Sequence, residues 1–282
     1  MRYFVSSLPT EMNSMKNSIR ITLSLILASL VVFLAFSCKK SSEDISIAGK
    51  YCEDWDTKDS NGYRFSNNVW GKGSYQNGVD YTACISVTDA FPSGTKFEWN
   101  WPLNNGGVRS YQEIYVGRKP WDSKATENSP FPIKINNLKE FNVEFDLDRS
   151  YSSNGYNIAL ETWLANDPDG GQSAITHEVM IWLHKGSEPS PAGDNGNSAN
   201  LNLSGPSHQV WRNANHNSWD YTAVVYDTDY LAGAVDLNIV LDEWKRLGWV
   251  SGEEYILDLE LGAEVVLGEG SFTINKFIVT AN

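Results

Sequence analysis

The feature that most constrains this chain is a period of two. Over residues 141–148, Phe141, Val143, Phe145 and Leu147 alternate with Asn142, Glu144, Asp146 and Asp148. Successive side chains of a strand point to opposite faces, so strict alternation marks a half-buried β-strand. Segments 158–164, 178–183, 255–261 and 271–280 read the same way. Turn-forming residues separate them: Asn104-Asn105-Gly106-Gly107, Asn154-Gly155, the stretch 167–171 and a long loop over 187–204. One segment departs from the rule. After Asp236, apolar residues fall at Leu237, Val240, Leu241, Trp244 and Leu247, and Gly248 follows. This spacing predicts a helix over 236–247 with an Asp cap and a Gly stop. Many strands and a single helix predict an all-β fold, two packed antiparallel sheets in a sandwich or jelly roll. One helix cannot cover both faces of a parallel sheet, which argues against an α/β fold.

The N-terminal residues follow different rules. Lys16 and Arg20 precede an apolar run over 21–36, then Ser37 and Cys38. A basic start, an apolar stretch and a small residue describe an export signal. Leu34-Ala35-Phe36-Ser37-Cys38 resembles a bacterial lipobox, which makes 1–37 a signal peptide, Cys38 a lipidated residue and 38–49 a polar tether. A transmembrane anchor is the alternative, but the run is short for a span of about 20 residues. Met15 fits a start as well as Met1, since a basic leader follows it. Lys39 and Lys40 followed by Glu43 and Asp44 suggest an outer-membrane, cell-surface destination. With Cys38 lipidated, Cys52 and Cys84 remain. An even pair in an exported protein points to a disulfide, two buried thiols being the alternative.

Composition removes several functions. There are 35 acidic and 22 basic residues, a net charge of -13, which excludes a phosphate-neutralising nucleic-acid binder. Only 4 His are present, too few and too scattered for a His-rich metal site, and no metal or organic cofactor is expected. The G-x-S-x-G elbow, the phosphate-binding Gly loop and the H-E-x-x-H helix are absent. Asp167-Pro168-Asp169-Gly170 lacks the later ligands of a calcium loop and reads as a turn. What remains is carboxylates among 11 Trp, 13 Tyr and 11 Phe. On a strand, Glu178, Met180 and Trp182 share one face and Val179, Ile181 and Leu183 the other. The aliphatic face belongs to the core. The first sets a carboxylate beside a thioether and an indole, as a sugar-binding surface would, though an exposed Glu on an amphipathic strand has the same pattern. Glu264 lies among small and apolar neighbours, where lost solvation raises a carboxyl pKa and suits a proton donor. Glycoside hydrolysis uses such a pair.

Glu178-Val179-Met180-Ile181-Trp182-Leu183 resembles the E-[LV]-M-I-W-L motif of glycoside hydrolase family 12, endo-β-1,4-glucanases and xyloglucanases with a β-jelly-roll fold. Further matches run in family order over 51–281: Cys52 with Trp55, Asn67-Asn68-Val69-Trp70-Gly71, Trp99-Asn100-Trp101, Val108-Arg109-Ser110-Tyr111, Pro191 with Gly193, and Gly262-Ala263-Glu264. The resemblance implies a catalytic domain over 50–282 that cleaves a β-glucan, with Glu178 as nucleophile and Glu264 as acid/base. It implies sugar contacts from Trp55, Asn68 and Trp70, a cleft floor of Met180 and Trp182, and a bond between Cys52 and Cys84. Read from the residues alone, Trp55 and Trp70 also fit core positions, and Tyr111 fits either role. Two positions depart from the family pattern. Glu161 stands where an Asp supports the nucleophile, and Val265 where Pro often follows the acid/base.

Three other readings share parts of this pattern: a non-catalytic carbohydrate-binding sandwich, a family 11 xylanase, and a β-1,3-glucanase of the E-x-D-x-x-E type. The last is matched only by Glu144-Phe145-Asp146 without the final Glu. The choice among cellulose, mixed-linkage glucan and xyloglucan rests on loops near 103–107, 121–130 and 187–204. A monomer is expected.

Overall fold

The computed structural model describes residues 46–104, 106–150, 155–195 and 199–282. The leader, Cys38 and most of the tether lie outside the described residues. The chain runs β1 (Gly49–Tyr51), β2 (Thr57–Ser60), β3 (Tyr63–Asn68), β4 (Thr82–Val87), β5 (Thr95–Trp101), β6 (Ser110–Gly117), β7 (Ile133–Lys134) and β8 (Phe141–Arg149). It continues with β9 (Asn157–Ala165), β10 (Ile175–Lys185), β11 (His208–His216), β12 (Trp219–Tyr226), β13 (Ala232–Asp236), the helix α1 (Leu237–Arg246), β14 (Tyr255–Ile256), β15 (Asp258–Val265) and β16 (Gly268–Ala281). The strands form a six-stranded sheet, ordered β1-β4-β5-β16-β8-β13, and a ten-stranded sheet. The main path of the larger sheet is β11-β12-β10-β9-β15-β6-β3-β2, with β14 and β7 attached beside β9. All pairings are antiparallel between neighbours on these paths except β10 with β12, which is parallel.

The core lies between the sheets, as the alternation requires. Phe97, Phe145 and Phe272 enter it from the smaller sheet, and Phe65, Ile114 and Leu160 from the larger. Val179, Ile181 and Leu183 are buried there too, so the aliphatic face of β10 is core as expected. The helix begins where the sequence places it. The Asp236 side chain accepts the Asn238 N–H at 3.0 Å, and the chain leaves through Gly248 at φ +70°, a conformation that costs glycine little. Its apolar stripe, Leu237, Val240, Leu241 and Trp244, is buried. The segment expected as one strand over 255–261 is two, β14 and the start of β15. A disulfide joins Cys52 to Cys84.

Burial on the larger sheet breaks the simple pattern. β6 and β9 are buried at every position, so both faces are covered. The second face of these strands, turned away from the core, carries the polar residues that form the site.

Candidate active site

Register brings the site residues onto that second face. On β10, Glu178 pairs with Trp163 of β9 on one side and Tyr221 of β12 on the other. Trp219 lies two residues before Tyr221, hence on the same face. Its indole N–H donates to Glu178 Oε2 at 2.9 Å. Glu264, on β15, meets Asn157 at the start of β9. The Asn157 amide donates to Glu264 Oε2 at 2.5 Å, and its Oδ1 accepts the Glu264 backbone N–H at 2.9 Å. One Asn thereby fixes both the main chain and the side chain of Glu264. Glu161 sits between them on β9, paired with Met180 on one side and Glu260 of β15 on the other.

Electrostatics bind these three carboxyls into one unit. Burial pushes Glu178 up to about 8; the Trp219 hydrogen bond opposes this, and the charge of Glu264 adds to it. Burial pushes Glu264 up to about 7, against the Asn157 hydrogen bond. Burial, then the charge of Glu178, holds Glu161 well above the usual carboxylate range, with Lys119 opposing. When one member of such a group ionises, its charge holds the next proton in place. Glu178 and Glu161 therefore titrate as interacting groups, and Glu178 and Glu264 each have a separate hydrogen-bond donor. Glu161 interacts with Glu178 through charge; no hydrogen bond links the two among the described residues.

A second buried cluster underlies the first. The Lys119 ammonium contacts Glu113 and reaches Glu260 Oε2 at 2.7 Å. Glu113 Oε1 also accepts from Asn68 Nδ2 at 3.1 Å, and Glu260 Oε1 from Trp163 Nε1 at 3.0 Å. Burial disfavours the Lys119 ammonium, but Glu113 and Glu260 more than reverse that and hold it above its usual range. Buried ions persist only when paired in this way.

The expected sugar-contact residues divide into two groups. Trp55 is 50% exposed and Trp70 60%, so neither is a core residue. Asn68 is buried; it accepts the Trp70 N–H at 3.2 Å and so sets the start of the loop carrying that indole. Met180 and Trp182 are each only 1% exposed, with the indole N–H donating to the Met180 sulfur at 3.4 Å. They support the surface from beneath, packed with Tyr221 and Val225. Tyr111 is buried, its hydroxyl 3.4 Å from the Ala159 carbonyl. The β-1,3-glucanase reading loses its motif, since Glu144 lies on the smaller sheet and pairs with Lys276.

Sequence reasoning missed Trp219, Asn157, Lys119, Glu113 and Glu260. Parity offered a signal for three of them. Asn157 shares a face with Glu161, Glu260 with Glu264, and Glu113 with Tyr111. Nothing local pointed to Lys119 or Trp219, which arrive through register and loop path.

Comparison with known proteins agrees with this geometry. The family model for glycosyl hydrolase family 12 matches residues 61–282, a span holding Glu161, Glu178 and Glu264. Endoglucanase S of Pectobacterium parmentieri is 29% identical over 229 residues, covering 78% of this chain and 82% of that one. The xyloglucan-specific endo-beta-1,4-glucanase 1 of Phytophthora sojae is 22% identical over 243 residues, covering 84% and 94%. In fold, a family 12 xyloglucanase from Bacillus licheniformis superimposes with a TM-score of 0.73 at 23% identity, covering 83% of this chain and all of that one. With the family match spanning most of the chain and both sheets in place, the protein belongs to glycosyl hydrolase family 12.

Proposed function

We propose that this protein is a retaining endo-β-1,4-glucanase acting on cellulose-type glucan, mixed-linkage β-glucan or xyloglucan. The observation that carries the reading is the pair Glu178 and Glu264, each half-buried and each held by its own donor, Trp219 or Asn157. Glu178 attacks the anomeric carbon while Glu264 gives its proton to the leaving oxygen. Glu264 then takes a proton from the water that releases the glycosyl-enzyme. Retention places the two carboxyls about 5–5.5 Å apart in the substrate complex. Glu161 tunes Glu178 by charge and does not react. Trp55, Asn68 and Trp70 bind the glucan on one side of the scissile bond. The name of the Phytophthora sojae relative, a xyloglucan-specific endo-beta-1,4-glucanase, supports a β-1,4-glucan backbone as substrate.

The test measures new reducing ends from xyloglucan, mixed-linkage β-glucan, carboxymethyl cellulose and xylan, with product anomers followed by proton NMR. Cleavage of a β-1,4-glucan but not xylan, with the β-anomer formed first, is the expected result. Cleavage of xylan alone would replace the reading with a xylanase. Binding without cleavage of any polymer would replace it with a carbohydrate-binding module.

The same reading makes the protein a monomer carried on the cell surface by a lipid at Cys38, for which the lipobox-like segment 34–38 is the support. Cys38→Ala should then release the protein from the membrane fraction. An unchanged membrane fraction would exclude a lipid anchor at that residue.

A further inference from the structure

Most buried polar groups find a hydrogen-bond partner, yet several indoles of this protein do without one. Among the described residues, the N–H groups of Trp99, Trp101 and Trp244 are buried in the core with no acceptor. Trp163 and Trp219 differ. Trp163 donates to Glu260 Oε1 at 3.0 Å, and Trp219 donates to Glu178 Oε2 at 2.9 Å. The two rings also meet edge-on, at 5.4 Å between centroids. We propose that Glu260 is a positioning residue for the nucleophile: through Trp163 it fixes the Trp219 indole, and thereby the orientation of Glu178. This role rests on the glucanase reading above, in which Glu178 attacks the anomeric carbon.

Glu260 is fully buried and is held at both oxygens. Its Oε1 accepts from Trp163, and its Oε2 accepts from the Lys119 ammonium at 2.7 Å. A carboxyl group bonded in this way is a fixed acceptor. The same strand, β15, grips Trp163 a second time, because Asp258 Oδ1 accepts the Trp163 backbone N–H at 3.0 Å. Asp258 and Glu260 are two positions apart and share a face. Both the main chain and the ring of Trp163 are therefore tied to β15.

Trp219 depends on such a brace. It is the first residue of β12, directly after a turn in which Asn217 and Ser218 adopt φ +48° and +83°. The hairpin of β11 and β12 forms one margin of the larger sheet. The Trp219 side chain is half-buried there, so a ring without a neighbour would exchange rotamers. Trp163 pairs with Glu178 across β9 and β10, and its ring limits the space into which Glu178 and Trp219 can turn. Burying Glu260 with Lys119 is less favourable than an apolar pair of the same volume. An attacking atom misplaced by about 1 Å lowers a rate roughly a hundredfold, which is the loss this network prevents.

The test follows the attack step alone. The probe is a dinitrophenyl β-cellobioside fluorinated beside its anomeric carbon. A Glu178 oxygen bonds to that carbon while the bond to dinitrophenolate breaks. The leaving group departs as a stable anion and needs no proton from Glu264. The fluorine slows release, so the glycosyl-enzyme accumulates and is read by mass spectrometry. We expect Trp163→Phe and Glu260→Leu to lower the labelling rate constant at least about tenfold with probe affinity unchanged. Glu260→Gln keeps an acceptor for the indole and should recover most of the rate. Lost affinity with an intact rate constant would overturn the proposal, because it reports damage to sugar binding. Equal losses in Glu260→Gln and Glu260→Leu would overturn it too, since the effect would then lie in charge. Trp219→Phe completes a double-mutant cycle. The double variant with Trp163→Phe should be no slower than Trp219→Phe alone, and losses that multiply would show that Trp163 does not act through Trp219. Trp163→Phe removes no charge, so it decides the matter even where Glu260→Leu does not fold. No labelling of the wild type at Glu178 ends the glucanase reading and this role with it. Labelling of Trp163→Phe at the wild-type rate ends this role alone.

Discussion

On the smaller sheet, Glu98 stands beside Lys96 at 2.7 Å and Lys50 at 3.2 Å, and Glu144 pairs with Lys276, all with side chains in contact with water. On the larger sheet, Glu113, Glu161 and Glu260 are buried around Lys119 on the far face of β6, β9 and β15, and Glu178 and Glu264 lie half-buried on the same face. The residue type and the alternation are the same in both places. The difference is what covers the face. Water screens the charges of the smaller sheet one pair at a time. Aromatic side chains and neighbouring strands cover those of the larger sheet, so each ionisation there changes the next.

The comparison can be broken at four points, from the largest expected effect to the smallest. Glu178→Gln removes the attacking oxygen while keeping an acceptor for Trp219, and turnover should fall at least about 10⁴-fold with oligosaccharide affinity retained. Retained turnover in that variant would end the assignment of nucleophile. Glu264→Gln should cost about 10²- to 10⁴-fold and abolish the alkaline limb of the pH–rate profile. It should also change stability in a defined direction. Glu264 is raised in the folded state, so the wild type loses stability as pH rises from about 4.5 toward about 7. The Gln variant has no charge to bury, so it should melt higher than the wild type at pH 8 and equally at pH 4.

Lys119→Met comes third. Losing a buried partner should cost roughly 3–5 kcal/mol of stability. Lys119 also pulls down Glu161 and Glu178, so the acid limb of kcat/KM should move to higher pH. An unmoved limb would confine Lys119 to a packing role. The smallest effect belongs to the other sheet. Glu144→Gln should change stability by no more than about 0.5 kcal/mol and activity not at all. A larger loss there would mean that the two faces do not differ as argued.

Local pattern and distant register contributed differently to what the sequence disclosed. Alternation in 141–148 and the stripe from Leu237 to Trp244 involve neighbours in the chain, and both elements formed where they were expected. Glu178 and Glu264 were visible because their motifs are local. Their donors were not: Trp219 bonds a residue 41 positions away and Asn157 one 107 positions away. The burial of Met180 and Trp182 escaped for a related reason. Parity gives the face of a strand but not how closely its neighbours crowd it, and here Tyr221 and Val225 of β12 and Trp211 of β11 pack against the pair. Lys119 sits in a loop without periodicity and acquires its role only when β15 brings Glu260 to it.

The order of the strands carries a consequence for how the protein comes to exist. The last long strands of the chain are interior members of their sheets: β15 lies between β9 and β6, and β16 between β5 and β8. Until they arrive, each sheet is two separate pieces with unpaired edges, and a chain in that state is prone to stick to others of its kind. Such partners, distant in sequence, also make for slow assembly. Because Glu264 rides on β15, the proposed proton donor is delivered by the same event that closes the larger sheet. On the proposed roles, a half-made chain carries Glu178 but lacks Glu264 to protonate a leaving group, so chemistry would begin only after folding has finished.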